Sequence, residues 1–124
     1  MKDFILEETS KTPKIIFKPK SGLFEISGKS IPENSAQFFD PVISWINEYI
    51  SNPAATTTMI IKLEYFNTSS SKYLVEIFRK LEVLVKSGKE VLIKWFYEEE
   101  DEDMLESGED FKEIIKVPVE LNMI

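Results

Sequence analysis

"TTTMIIKLEYFNTSSSKYLVEIFRKLEVLVKSG", residues 56–88, changes its hydrophobic period midway, and that change decides the fold. Residues 56–66 are β-branched and aromatic. They predict a strand, and their near-continuous apolar content predicts one buried on both faces. Farther on, Leu74, Ile77, Phe78, Leu81, Leu84 and Val85 recur at helical spacing, and Gly88 supplies the stop. Between the two periods stand Asn67 and four consecutive hydroxyl residues, Thr68, Ser69, Ser70 and Ser71. One capping side chain suffices to start a helix.

The pattern continues outward on both sides. "EVLIKWFY" (90–97) reads as a strand. "DMLESGEDFKEII" (103–115) reads as a weaker, acidic helix interrupted by Gly108. "KVPVELNMI" (116–124) closes as a short strand, placed at an edge by Pro118. Upstream, Phe38, Val42, Trp45, Ile46, Tyr49 and Ile50 mark a helix within residues 31–53. Asn34 or Ser35 could cap it, and Pro41 either kinks it or restarts it behind Asp40. "KIIFK" (14–18) and "GLFEISG" (22–28) form a hairpin through the turn "KPKSG", and "FILEE" (4–8) is a weaker strand. The order is a β-hairpin followed by α-β-α-β-α-β. It predicts a single α/β domain over residues 1–124, with a mixed sheet of about five or six strands and helical crossovers. Sites on such sheets lie where strands end and loops lead into helices, as at residues 66–71.

Composition removes several functions. The 124 residues contain no cysteine and no histidine, so a Ser-His-Asp or Cys-His nucleophile and an ordinary structural zinc site are excluded. Without cysteine there is no disulfide framework to suggest secretion. The apolar run near the N-terminus is too short for a signal peptide or a membrane span, and a cytoplasmic location is the expectation. A net charge of −7 argues against nucleic acid and against an anionic membrane surface. No phosphate-binding glycine loop is present among Gly22, Gly28, Gly88 and Gly108.

Two stretches carry candidate chemistry. The hydroxyl cluster reads first as a cap with solvated neighbours, the commoner use of such residues. Capping explains one residue well and four poorly. The alternative is phosphorylation or anion binding at the positive end of a helix. The second stretch is "EEEDEDMLESGED" (98–110), with nine acidic residues and no basic one. The remainder holds 13 acidic residues against all 15 basic ones, so the protein's acidity resides in this segment. It reads as a solvated loop and helix start, a docking surface for a basic partner, or, least of all, a divalent cation site. Its spacing does not fit an EF-hand. Paired glycosidase carboxylates fit by residue type, but an exposed charge run is a poor place to raise a carboxyl pKa. The aromatic residues sit mostly at periodic core positions.

Taken together, "GKSIPENSAQFFDPVISWINEYI" (28–50), "LEYFNTSSSKYL" (63–74) and "WFYEEEDEDMLESGEDF" (95–111) resemble the SiaC family of bacterial regulatory phosphoproteins. The resemblance runs from Gly22 to Leu121 in one order. More distantly the layout is similar to the STAS-type anti-anti-sigma fold, where a strand ends in a short hydroxyl motif before a helix. The resemblance implies a partner switch. A Ser/Thr kinase of the histidine-kinase-like ATPase type phosphorylates the protein, a PP2C-type phosphatase reverses this, and the unmodified form binds and activates a diguanylate cyclase. Thr68 looks like the phosphoacceptor, with Ser69 the runner-up. Asn67 stands where STAS relatives often carry Asp. Asn67, Ser70 and Ser71, with Glu99, Glu100 and Asp101 of the acidic segment, are the candidate partner-binding residues. The resemblance assigns no catalytic residue, metal or cofactor. The competing class is a small acidic enzyme, carboxylate-based or metal-assisted, which the missing histidine and cysteine disfavour.

Overall fold

A computed structural model describes residues 1–124. The chain order is β1 (Phe4–Leu6), β2 (Lys14–Lys18), β3 (Leu23–Ser30), α1 (Ser35–Ser51), β4 (Thr56–Phe66), α2 (Thr68–Lys86), β5 (Glu90–Tyr97), α3 (Glu102–Ile114) and β6 (Val119–Met123). The six strands form one sheet in sequence order. β1, β2 and β3 pair antiparallel, and β3 through β6 pair parallel with α1, α2 and α3 as the connections. The sheet is thus mixed, and β6 is an edge strand.

Side-chain alternation shows that one face of the sheet carries the core. Ile15, Phe17, Phe24, Ile26, Met59, Ile61, Ile93 and Trp95 are fully buried, while Lys14, Ile16, Glu25, Ile60, Lys62 and Lys94 between them are exposed or half-buried. β4 was expected to be covered on both faces and is covered on one. Its outward residues are shielded by neighbours within the sheet, as where the Lys62 ammonium lies 4.9 Å from the Phe96 ring centroid. A short apolar strand does not reveal from its own sequence how many layers pack on it.

Two aromatic clusters bind helices to sheet. Trp45 of α1 packs against Phe4, Phe17, Phe24 and Tyr49. Phe111 of α3 packs against Phe66, Phe78 and Trp95. Each such side chain contributes roughly 1.5–3 kcal/mol by leaving water. Buried Tyr49 and Trp95 also satisfy their polar atoms, Tyr49 at Thr57 Oγ1 (2.8 Å) and Trp95 by donating to the Met104 carbonyl (2.9 Å).

Three local readings resolve. Asn34 caps α1, accepting from the Gln37 amide at 3.1 Å. Pro41 lies inside α1, which neither stops nor restarts there. Gly108 does not interrupt α3. It is buried, and a Cβ there would stand 2.5 Å from Trp95 Cδ1, so the missing side chain lets the helix close onto the sheet. Gly22 serves the hairpin similarly: its φ is +70° and a Cβ would lie 2.0 Å from the Thr56 carbonyl oxygen.

Candidate functional site

The site is built where β3 and β4 end together. Between Leu63 and Tyr65, β4 advances two residues while β3 advances one, from Gly28 to Lys29. Such a bulge inverts the alternation beyond it. Tyr65, which unbroken alternation from Leu63 would turn inward, consequently points outward and is 58% exposed, and Phe66 turns inward to Trp95 and Phe111. The same shift brings Ser30 beside the turn into α2. The Ser30 carbonyl accepts from the Asn67 amide at 3.0 Å and from Ser70 Oγ at 2.9 Å, and the two serine hydroxyls lie 2.8 Å apart.

The hydroxyl residues are thereby sorted. Asn67 is the N-cap of α2, its Oδ1 accepting from the Ser70 amide at 2.9 Å. Thr68 is the first helical residue, the one exposed member of the four, and its hydroxyl makes no hydrogen bond within the protein. Ser69 is half-buried, donates to Asn67 Oδ1 at 3.1 Å, and is 2.5 Å from the hydroxyl of Ser35 on α1. Ser70 is fully buried and bound to Ser30, so it offers a partner no surface. Ser71 is half-buried in the first turn. Asn67 and Ser70 thus build the turn.

The acidic segment is divided in the same way. Glu99 and Glu100 are exposed in the turn after β5. Asp101 is half-buried and caps α3, accepting from the Met104 amide at 3.0 Å. Glu102 and Asp103 follow in the first turn, where carboxylates meet the positive end of the helix dipole. Asp101 and Glu64 also border two adjoining depressions, of about 150 and 160 Å³, floored in part by Met104. No three of the chain's carboxylates gather as a metal ion would require. Glu33 is held below the ordinary carboxylate range by its hydrogen bond and ion pair with Lys11; both residues are exposed, and the pair joins the loops before β2 and α1. No buried side-chain polar atom lacks a partner. No helix is long and apolar enough to cross a membrane.

This arrangement is a small α/β domain presenting one free hydroxyl at a helix start, and solved structures share its fold over 98–100% of the chain. SiaC of Pseudomonas aeruginosa superposes with a TM-score of 0.91 at 28% identity, covering 100% of both chains. A crystal structure of the P. aeruginosa diguanylate cyclase SiaD in complex with its activator SiaC contains a chain matching at TM-score 0.92 and 29% identity, over 98% of this chain and 100% of that one. An uncharacterized protein of P. aeruginosa strain UCBPP-PA14 is 31% identical over 118 residues, 95% of this chain and 94% of its own length. The model of the SiaC family regulatory phosphoproteins matches residues 6–124. The chain belongs to that family, and it is a regulator rather than an enzyme.

Proposed function

We propose that this protein is a partner switch acting through Thr68. The unmodified form binds and activates a diguanylate cyclase, a Ser/Thr kinase of the histidine-kinase-like ATPase type phosphorylates Thr68, and a PP2C-type phosphatase restores it. The observation that carries the reading is the state of the four hydroxyls. Thr68 alone is exposed, while Ser70 is buried and Ser69 is bound on two sides. The cyclase as partner is supported by the complex of SiaC with SiaD.

The physics of the switch is one-sided. A phosphate at the first helical position carries about −1.5 to −2 charge and meets the free amides and positive dipole end of α2, so the domain tolerates it. A partner packed over this turn would have to desolvate that charge. Without a matching cation this costs several kcal/mol, and each 1.4 kcal/mol is tenfold in affinity. The test is a pull-down with the cyclase of the host. Thr68→Ala should bind as the unmodified protein does and take up no phosphate, and Thr68→Asp should bind less. Equal binding of phosphorylated and unmodified protein would overturn the reading.

A further inference from the structure

Ser35 lies 34 residues from Ser69 in sequence, yet it meets Ser69 where the first turns of α1 and α2 approach. Each hydroxyl has one proton to give. Ser69 gives its proton to Asn67 Oδ1, so in the Ser35–Ser69 pair Ser35 is the donor. The chain of bonds therefore runs from Ser35 through Ser69 to Asn67. It engages both the proton that a base must remove from Ser69 and one of the lone pairs that would attack. Thr68, the neighbouring residue, has neither engaged.

We infer that Ser35 is a specificity-determining residue of the switch: it masks Ser69, which is a latent second phosphoacceptor, and confines modification to Thr68. This rests on the reading of Thr68 as the acceptor. In the transfer, the bond between the γ-phosphorus of ATP and its bridging oxygen breaks and ADP leaves with the electron pair. An Oγ–P bond forms, and the hydroxyl proton passes to a base on the kinase. At Ser69 this step requires breaking the bond to Asn67 and turning the oxygen away from Ser35. Ser35 itself is at the first helical position of α1, and the cap of that helix is Asn34. Removing the Ser35 hydroxyl therefore leaves the cap intact.

Full-length variants expressed in the native host can be digested with trypsin and the peptide of residues 63–72, which contains all four hydroxyls, mapped for phosphate. The wild type should carry phosphate on Thr68 and Thr68→Ala should carry none. The double variant Thr68→Ala/Ser35→Ala should carry phosphate on Ser69. In Ser35→Ala alone, phosphate should appear on Ser69 in addition to Thr68, because the hydrogen bond that engages the Ser69 oxygen is released. Thr68→Ala/Ser35→Thr, which restores a hydroxyl, should return to none, separating masking from a general loosening of the fold. If wild type is modified on Thr68 and the double variant stays unmodified, the masking role is wrong while the switch stands. If wild type carries no phosphate on Thr68, the switch reading fails, and this inference with it.

Discussion

At the scale of the residue, the turn shows how neighbouring side chains of one chemical type take different work. Ser30 and Ser70 are both nearly or fully buried, and each satisfies the other. Ser70 also donates to the Ser30 carbonyl, tying the start of α2 to the end of β3. Ser70→Ala should therefore leave a buried Ser30 hydroxyl with one partner fewer and cost about 1–3 kcal/mol. Urea unfolding followed by circular dichroism measures this. A loss below roughly 0.5 kcal/mol, ordinary for surface substitutions, would show that the hydroxyl pair does not hold the turn. Thr68→Ala removes an exposed group without a partner and should lie within that smaller range.

At the scale of the element, α3 is the one whose sequence misleads most. Its mid-helix glycine and nine-residue acidic content across 98–110 argue for a broken, weakly held helix. In the structure the glycine is the contact surface. Trp95 Cδ1 and Nε1 and Leu121 Cδ2 would lie within 2.8 Å of a Cβ at position 108. Gly108→Ala should gain about 1 kcal/mol of helix propensity and lose more to overpacking, about 1–3 kcal/mol or above, because the ring is held by its bond to the Met104 carbonyl and cannot swing aside. The expected result is a net destabilisation in thermal unfolding with quenching or shift of Trp95 fluorescence. A stabilised variant would mean that α3 can rise from the sheet freely.

At the scale of the molecule, charge and fold are segregated. The exposed carboxylates of Glu99 and Glu100 follow the carboxyl end of β5, at the same end of the sheet at which the parallel neighbour β4 delivers Thr68. We propose that they steer a basic partner rather than anchor it, since exposed charges act mainly on encounter. Glu99→Lys/Glu100→Lys should slow association with the cyclase, and the difference from wild type should shrink as ionic strength rises and the Debye length falls below about 8–10 Å. Surface plasmon resonance across a salt series reads this. Asp101 is excluded from the variant because its reversal would remove the cap of α3 and confound docking with folding. Association rates equal to wild type at low salt would leave the segment with its helix-starting role alone.

Local chemistry settled a good deal of this protein from its sequence. Period and punctuation determined the order of strands and helices, the hairpin, the stop at Gly88 and the start of α2 at the hydroxyl cluster, because each depends on residues within a few positions of one another. The lack of histidine and cysteine likewise ruled out whole classes of chemistry. Tertiary structure alone decided the rest. Which face of β4 meets the helices depends on where three crossovers pack, and the bulge that sends Tyr65 out and Phe66 in exists only against β3. Gly108 reads as a breaker until Trp95 is beside it. Above all, Thr68, Ser69, Ser70 and Ser71 are nearly equivalent as text. They become exposed, masked, buried and half-buried only when Ser30 and Ser35, 40 and 34 residues from their partners, arrive to bond two of them.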